Sequence, residues 1–466
     1  MEYVSTRGAA PVLGFADVTL AGLASDGGLY VPRHWPSLSA DEIADLAGLS
    51  YVETAVRICR PFVADALDEA ELRTLLTRAY ASFSHAATVP LVQLDHQHWL
   101  LELFHGPTLA FKDVAMQALG QMFERFLSGS GRHLTVIGAT SGDTGSAAIN
   151  ALAGRAGVEV FMLHPKGRVS EVQRRQMTTV LAPNVHNIAV EGSFDDAQAL
   201  VKAMFNDAAF AARFPLSAVN SINWARLMFQ IVYYFYAAVR LGAPGRAVAF
   251  SVPTGNFGDV FAGYVAARMG LPIERLVVAT NENDILHRAL SVGDYSVGQV
   301  APTSSPSMDI QVSSNFERLL YDLHGRDGAA CAATMRGFEA SRALAIAPAM
   351  RAEAARLFAS ARIDTDTMAQ AMRWAQNSCG QILDPHTAIG LAAARQHAGQ
   401  APMVTLATAH PAKFGDAVER ACGLRPALPA RVAGLFDREE RYETLPAELG
   451  AVEDYIAARA RARSAA

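Results

Sequence analysis

A lysine in an unusual position is the strongest chemical signal in this sequence. Lys112 follows an apolar run, Trp99 to Phe104, that is typical of a buried strand and is ended by Gly106-Pro107. Thr108 can cap the helix that follows, which places Lys112 in the first helical turn. The positive end of a helix disfavours an ammonium group, and burial lowers the pKa of a lysine further. We therefore expect a neutral, nucleophilic amine, the form that Schiff-base chemistry requires.

The scarcity of lysine favours the same interpretation. Of the 40 basic residues only four are lysines, at positions 112, 166, 202 and 413, so arginine carries the surface charge of this chain. A lysine kept at a strand–turn–helix junction therefore points to chemistry. The alternative stays open that the charged end of Lys112 reaches water. In that case the scarcity of lysine reflects only the general compositional bias of an alanine-rich chain.

Two further turns follow apolar runs and carry groups that bind anions. Residues 139–146 are Ala-Thr-Ser-Gly-Asp-Thr-Gly-Ser, and residues 253–259 are Pro-Thr-Gly-Asn-Phe-Gly-Asp. Backbone N–H groups at a helix start, together with hydroxyls and glycines, hold carboxylates or phosphates. Neither turn has the lysine of a phosphate loop or the glycine spacing of a dinucleotide site, which argues against nucleoside triphosphates and NAD. For the first turn, a capped loop without a ligand is the alternative.

Two more segments carry polar groups at places where chemistry is expected. Asn220, Ser221 and Arg226 lie within seven residues, and an arginine accompanied by amides and a hydroxyl suits a dianionic oxygen cluster. An Asn-capped helix with a surface arginine is the alternative. Further along, a strand over residues 403–407 ends in Thr408 and a proline turn.

Alternating strand and helix patterns must position these segments. From about residue 90, short β-rich runs alternate with helical patterns, which predicts βαβ units and parallel sheets. We expect two open parallel α/β domains with a cleft between them, and ligands beyond the carboxyl ends of the strands. The first set of runs is 99–104, 134–137, 159–163 and 185–190, and the second set is 248–252, 276–280 and 403–407.

The length of the chain predicts two or three domains, at about 150 residues each. Residues 1–90 carry turn signals and then amphipathic helical patterns, so we expect an N-terminal accessory helical domain. Residues 91–420 form the α/β region, with two subdomains and helical insertions around 320–380. Residues 421–466 are expected to be a C-terminal helical extension.

Composition argues against several classes of protein. The net charge is −5 and no basic stripe is interleaved with aromatics, so nucleic acid is not the expected partner. The apolar run Ile231 to Val239 is too short to cross a membrane and fits a buried helix. Early charges interrupt any signal-peptide core, which predicts a cytoplasmic protein without a membrane partner. The four scattered cysteines indicate reduced thiols, and the pair His96 and His98 lacks a third ligand, so no metal is expected.

Together, a buried lysine and two anion-holding loops suit an aldehyde cofactor with a phosphate group, which is pyridoxal 5′-phosphate. At this point the chain resembles the threonine synthases, of the fold-type-II (tryptophan synthase β-like) pyridoxal-phosphate enzymes. It is similar to the longer branch, which has an N-terminal helical domain. The segments that carry the resemblance are 25–32 (SDGGLYVP), 104–113 (FHGPTLAFKD), 140–145 (TSGDTG), 255–259 (GNFGD) and 407–414 (ATAHPAKF).

The resemblance implies roles for single residues of the cofactor site. Lys112 would form the Schiff base with the cofactor, and Gly255, Asn256, Phe257 and Gly258, followed by Asp259, would hold its phosphate. Thr408 would face the pyridine nitrogen, where a hydroxyl leaves the ring less fully protonated than a carboxylate would. Shorter relatives have an asparagine at the position of Asp143, near the ring oxygen of the cofactor. A carboxylate there repels a phenolate unless one is protonated or turned away.

The resemblance also implies a reaction, the last step of threonine biosynthesis. Phosphate leaves Cγ of O-phospho-L-homoserine and water adds at Cβ to give L-threonine, with Lys112 moving protons as a free base. Ser141 and Thr144 would hold the substrate carboxylate, and Asn220, Ser221 and Arg226 its phosphate, in a cradle apart from the loop 255–258. The enzyme would be a carbon–oxygen lyase acting on phosphates, as a monomer or homodimer.

Two alternatives remain at this point. One is another fold-type-II enzyme, a β-replacing synthase acting on serine derivatives, against which the loop of Arg226 argues. The other is a non-catalytic relative that binds phosphorylated ligands through the same loops, against which the presence of Lys112 argues.

Overall fold

The computed structural model describes residues 1–217 and 219–461. The N-terminal part pairs two short antiparallel strands and adds four helices. Serine or aspartate caps three of these helices, through the side chains of Ser39, Ser50 and Asp68. Its elements are β1 (Tyr3–Ser5), α1 (Phe15–Ala21), β2 (Tyr30–Pro32), α2 (Ala40–Ala44), α3 (Tyr51–Val63) and α4 (Glu69–Tyr80).

Strands and helices alternate in the next part of the chain, as the sequence pattern predicts. The elements are β3 (Leu91–Gln93), β4 (His98–Glu102), α5 (Lys112–Leu127), β5 (Leu134–Ala139), α6 (Asp143–Leu152), β6 (Val158–Pro165), α7 (Glu171–Thr178), β7 (Val185–Glu191), α8 (Phe194–Asn206), α9 (Ala208–Arg213), β8 (Leu216–Ser217) and α10 (Trp224–Arg240).

The remainder of the chain continues this alternation and then adds helices. The elements are β9 (Val248–Pro253), α11 (Gly258–Arg268), β10 (Ile273–Thr280), α12 (Ile285–Ser291), α13 (Phe316–Leu323), α14 (Gly328–Ser341), α15 (Pro348–Ala354), β11 (Phe358–Arg362), α16 (Thr365–Cys379), α17 (Pro385–Gln396), β12 (Met403–Ala407), α18 (Gly415–Cys422), β13 (Glu443–Pro446) and α19 (Leu449–Ala457).

Two largely parallel sheets carry the α/β region, which confirms the predicted fold class. The larger sheet has the order β11-β10-β9-β12-β4-β3, and only β3 runs antiparallel to its neighbour β4. The smaller sheet has the order β13-β7-β6-β5-β8, with parallel pairs throughout. Their strands are almost continuously apolar, because helices cover both faces of a parallel sheet.

The pairing differs from the sequence interpretation at two strands. The sequence pattern places residues 99–104 with the first set of runs, but β4 pairs with β12 and so belongs to the larger sheet, with the second set. The C-terminal extension, expected to be helical, also contains β13, which pairs with β7. In both pairs, β4 with β12 and β13 with β7, the two strands are far apart in the sequence, so no local pattern predicts the pairing. The four residues of β13 are also too few to show the two-residue period of a strand.

Helix α10 connects the N-terminal part to the larger sheet. It packs against α3, α5 and α11, and its residues from Trp224 to Val239 are all buried. A helix that is apolar on all sides belongs in a protein interior, which confirms the prediction for Ile231 to Val239. Among the helices of the described residues, none is long and apolar enough to cross a membrane.

Candidate active site

The turn that presents Lys112 is held by the turn that follows β12. The N–H of Phe111 donates to the carbonyl of Thr408 at 2.8 Å, and the N–H of His410 donates to the carbonyl of Leu109 at 3.0 Å. Leu109 has a φ of 62°, a left-handed conformation that a branched side chain rarely adopts. Such a conformation persists only where the surroundings fix it, and here two backbone hydrogen bonds do so.

The prediction that Thr108 caps the helix is wrong. Helix α5 begins at Lys112, and the Thr108 hydroxyl and N–H both donate to the carboxylate of Asp113, at 2.7 and 2.8 Å. Burial raises the pKa of Asp113 to about 6. Gly106 makes room for this carboxylate, because a Cβ there would lie 2.3 Å from the Cβ of Asp113. A side chain inside the helix therefore organises the turn, and Lys112 still lies in the first helical turn as expected.

Lys112 is buried, and its environment favours the neutral amine. Desolvation by burial lowers its pKa, and the charges of Arg226 and Lys413 lower it further, while Asp143 acts in the opposite direction. The ring of Phe111 lies 4.8 Å from Nζ. The direction of the shift agrees with the expectation from sequence, although the structure adds two neighbouring cations to the cause.

Asp143 is ionised and shared between two buried lysines. Its Oδ1 lies 2.7 Å from Nζ of Lys413, and its Oδ2 lies 3.6 Å from Nζ of Lys112. Gln173 donates to Oδ1 at 2.8 Å. Although burial opposes ionisation, these partners hold the pKa of Asp143 well below its usual range. The sequence predicts that a carboxylate here repels the ring oxygen of the cofactor. Lys413, a second cation to which the sequence reasoning gave no role, offsets the charge of this carboxylate.

The turn 139–146 uses the hydroxyls of Thr140 and Ser146 internally and leaves two others available. Thr140 Oγ1 accepts hydrogen bonds from the N–H groups of Gly142 and Gly145, each at 2.9 Å. Gly142 has a φ of 137°, and a Cβ there would lie 2.4 Å from the side chain of Gln173. Ser141 and Thr144, the residues expected to bind substrate, are both partly exposed at the start of α6.

The loop 255–258 is fixed from behind by residues 305–315. Ser313 Oγ donates to the carbonyl of Gly255 at 2.8 Å, and the Asn315 amide donates to the carbonyl of Asn256 at 3.0 Å. Phe257 caps α11 in a left-handed conformation with a φ of 61°. Within the described residues, the N–H groups of Gly255 to Gly258 have no acceptor, which leaves them available to an anion.

Asp259 faces two tyrosines beneath this loop. The hydroxyls of Tyr233 and Tyr234 donate to its Oδ1 at 2.5 and 3.0 Å, and burial raises its pKa to about 6. Its Oδ2 is buried without a partner among the described residues. Asp259 therefore ties α11 to α10 below the loop.

Arg226 is a buried cation that forms no ion pair with the described residues. Its Nη1 donates to the carbonyl of Val219 at 2.8 Å, and its Nε has no partner among the described residues. Burial lowers its pKa to about 10. The alternative of a surface arginine is therefore wrong, although Asn223 does cap the helix, as that alternative held.

The two predicted anion sites are contiguous instead of separate. Ser221 Oγ lies 3.3 Å from Ser314 Oγ, which in turn lies 3.4 Å from Asn256 Oδ1. A Cβ at Gly258 would lie 3.6 Å from the Cβ of Ser221. Asn220 precedes this contact and is partly exposed. Folding therefore brings the 220–226 segment against the glycine loop, which their separation in sequence does not reveal.

Thr408 lies at the end of β12 in the same region and is buried. Its N–H donates to Thr387 Oγ1 at 3.2 Å, and the Thr387 hydroxyl donates in turn to the carboxylate of Asp384. Within residues 1–217 and 219–461, no group of three or more His, Cys, Asp or Glu side chains could hold a metal ion.

Comparison with known proteins agrees with this geometry. The family described as "Threonine synthase N terminus" matches residues 2–80, "Pyridoxal-phosphate dependent enzyme" matches residues 85–362, and "Threonine synthase, C-terminal" matches residues 387–456. A threonine synthase of Pseudomonas aeruginosa is 55% identical over 459 residues, which cover 98% of each chain.

Two crystal structures are similar over nearly the whole chain. The PLP-bound threonine synthase of Brucella melitensis superposes with a TM-score of 0.96 at 54% identity, covering 99% of this chain and 100% of that one. The threonine synthase of yeast superposes with a TM-score of 0.92 at 39% identity, covering 98% of both chains.

Proposed function

The chain belongs to the threonine synthase family, and from that premise we propose that it converts O-phospho-L-homoserine and water into L-threonine and phosphate. Pyridoxal 5′-phosphate is the cofactor. The observation that carries the proposal is a buried lysine with a lowered pKa beside N–H donors and an arginine to which the described part of the chain offers no anion. The reaction breaks the Cγ–O bond of the substrate and forms a C–O bond at Cβ, so the enzyme is a carbon–oxygen lyase acting on phosphates.

The residues present fit the cofactor. Lys112 supplies the amine that binds an aldehyde, and the N–H groups of Gly255, Asn256, Phe257 and Gly258 supply donors for a phosphate. A Cβ at Gly255 would lie 2.7 Å from the carbonyl of Ser307, so the loop requires glycine for its close packing. When bound, pyridoxal phosphate withdraws electrons from the substrate Cα.

The remaining cofactor contacts are assigned by the chemistry of each group. In the proposal, Asp259 holds the loop through Tyr233 and Tyr234, and Thr408 faces the pyridine nitrogen. A hydroxyl at that position accepts or donates a hydrogen bond without forcing a full positive charge onto the ring. Asp143 would lie beside the nitrogen that binds the cofactor, because its Oδ2 is 3.6 Å from Nζ of Lys112.

The substrate is proposed to lie between two sets of donors. Ser141 and Thr144, at the start of α6, bind its carboxylate. Asn220, Ser221 and Arg226 bind its phosphate, and the unpartnered Nε of Arg226 gives up no internal contact to do so. An arginine–phosphate contact in a buried site is stronger than a neutral hydrogen bond.

We assign to Lys112 a second role, as the base that would move protons. As a free amine, Nζ would remove protons from Cα and Cβ and return protons to Cγ and Cα, a role that its lowered pKa favours. The exit of phosphate from Cγ leaves an unsaturated carbon at Cβ, to which water adds. Both the covalent hold on the cofactor and the proton transfers are therefore assigned to one nitrogen.

Incubation with O-phospho-L-homoserine in oxygen-18 water tests the reaction. We expect threonine labelled on its hydroxyl and phosphate without label, because the bridging oxygen leaves with the phosphate. Labelled phosphate with unlabelled homoserine would indicate hydrolysis of the phosphate ester instead. Activity only with O-acetylserine and sulfide would indicate a β-replacing synthase, and tight binding without product would indicate a non-catalytic relative.

The proposal also includes the setting in which the enzyme works. A net charge of −5 without a basic stripe supports a small-molecule partner and not nucleic acid. We propose a cytoplasmic enzyme that acts as a monomer or homodimer. Size-exclusion chromatography with light scattering distinguishes the two states.

A further inference from the structure

Lys413 is buried more deeply than Lys112, Asp143 or Arg226, although no step of the proposed reaction requires it. Lys413 is 1% exposed. Its Nζ donates to the carbonyl of Thr108 at 2.7 Å and also lies 2.7 Å from Oδ1 of Asp143. Burying an ammonium costs free energy unless it is paired and hydrogen-bonded. In a chain with only four lysines, two of them meet at one carboxylate.

Distance decides which lysine carries the charge that neutralises Asp143. Nζ of Lys413 is 2.7 Å from the carboxylate, whereas Nζ of Lys112 is 3.6 Å from it. Two ammonium groups around one buried carboxylate would leave a net positive charge, which a site of low polarity disfavours. Lys413 is therefore the ammonium partner, and Lys112 is left as the amine.

We propose that Lys413 is a positioning residue: it neutralises Asp143, so that a carboxylate can lie beside Lys112, and thereby sets the pH at which the cofactor-bound nitrogen of Lys112 loses its proton. The proposal rests on cofactor binding at Lys112 and not on the identity of the substrate. Lys413 also fixes the turn before Lys112, because its Nζ donates to the carbonyl of Thr108 at 2.7 Å. The side-chain amide of Gln176 donates to the same carbonyl at 3.0 Å.

Other charged groups face Lys112 and do not take the place of Lys413. From α10, the charge of Arg226 lowers the pKa of Lys112. Asp259 on α11 is near enough to Lys112 for the charge of the lysine to favour ionisation of the carboxyl. The charge of Lys413 favours ionisation of Asp113 on α5 in the same way. Both of these carboxyls have pKa values raised to about 6, whereas the pKa of Asp143 lies well below its usual range, so Asp143 stays an anion at pH values where the other two are protonated.

A titration of the holoenzyme tests the proposal without substrate. The visible absorbance of the lysine-bound cofactor is followed against pH in wild type, Lys413→Met, Asp143→Asn and the double variant. We expect Lys413→Met to raise the midpoint by about one pH unit or more, because Asp143 then stabilises the protonated nitrogen alone. Asp143→Asn should lower it by a similar amount, and the double variant should return to within about 0.3 units of wild type.

Two controls separate positioning from a structural role. Lys413→Arg keeps the charge and should keep the midpoint, and Lys202→Met removes an exposed lysine on α8 and should change nothing. Shifts of the two single variants in the same direction, or midpoints unchanged in both, would overturn the proposal. If Lys413→Met does not fold, Asp143→Asn and the double variant, whose neutral pair leaves no unpaired charge, decide the matter by the same midpoints.

The result is independent of the proposed reaction. A holoenzyme that shows these shifts but forms no threonine would leave Lys413 as assigned and refute the substrate. Threonine formation with unchanged midpoints in the variants would support the substrate and refute the role of Lys413.

Discussion

Asp143 and Arg226 are both buried charged residues of the site, yet one is surrounded by partners and the other is not. Asp143 contacts Lys413, Lys112 and Gln173, whereas Arg226 donates only to the Val219 carbonyl among the described residues. We call Lys112, Asp143 and Lys413 the lysine side, and the loop 255–258 with Arg226 the anion side. The lysine side balances its own charge, whereas the anion side has donors for which the described residues supply no anion.

A second buried arginine shows that this difference is not general. Arg318 is fully buried, and its guanidinium donates to the carbonyls of Tyr30 and Ile222 and to the Asn315 side chain. Each donor group of Arg318 is thus occupied, as a structural role requires. Arg226 does not follow this rule, because its Nε has no partner among the described residues. The comparison indicates that the unsatisfied donors on the anion side bind a ligand.

The largest expected effect comes from removing the amine on the lysine side. Lys112→Ala should lower turnover by about 10⁴-fold or more, because covalent cofactor binding and proton transfer are lost together. The circular dichroism spectrum should not change, and borohydride should no longer fix the cofactor to the chain. Lys202→Ala is the matched control and should keep full activity. Substrate-dependent phosphate release by Lys112→Ala at the wild-type rate would refute the assignment.

On the anion side, Arg226→Met should weaken substrate binding while sparing the fold. We expect KM for O-phospho-L-homoserine to rise at least about tenfold, since a charged hydrogen bond contributes about 1.5–3 kcal/mol, and cofactor affinity to change less. The thermal midpoint of the cofactor-free protein should stay equal or rise, because a buried cation without an anion is removed.

Arg318→Met is the control for that experiment. It leaves the carbonyls of Tyr30 and Ile222 without donors, so we expect a lower thermal midpoint by several degrees and a smaller effect on KM. Equal losses of cofactor and substrate affinity in Arg226→Met, together with a lower midpoint, would make Arg226 a structural arginine like Arg318 and remove the contrast between the two sides.

The smallest expected effect concerns Asp259, beneath the anion side. Its folded pKa of about 6 lies above the ordinary value of 3.8, so the folded protein binds more protons between pH 4 and 6. Stability from this group is therefore present below about pH 4 and is lost as pH rises through 6. Asp259→Asn should remove on the order of 1–2 kcal/mol of that pH dependence, since the ideal 1.36 kcal/mol per unit is reduced by relaxation of the site.

Thermal midpoints of the cofactor-free protein at several pH values between 4 and 7 provide the measurement. The exposed Asp45→Asn should follow wild type. If Asp259→Asn also follows wild type at every pH, then Asp259 is not the buried acid that the geometry indicates.

Local sequence was enough to predict much of the molecule. The runs 134–137, 159–163, 185–190, 248–252, 276–280 and 403–407 lie within observed strands, because apolar runs bounded by turns need only neighbouring residues to be recognised. Lys112 at the start of a helix follows from the same reasoning. The family follows from short motifs, which are also local.

Tertiary structure alone decided which of these pieces meet. Lys413 Nζ contacts the carbonyl of Thr108 across 305 residues, and Ser221 meets the loop of Gly258, because of the order in which strands join their sheets. That β4 joins β12 is a property of packing and leaves no periodic signal along the chain. The sequence by itself determined which groups could do chemistry, whereas the fold determined their charges, since a charge in a protein interior depends on what lies within a few ångströms of it.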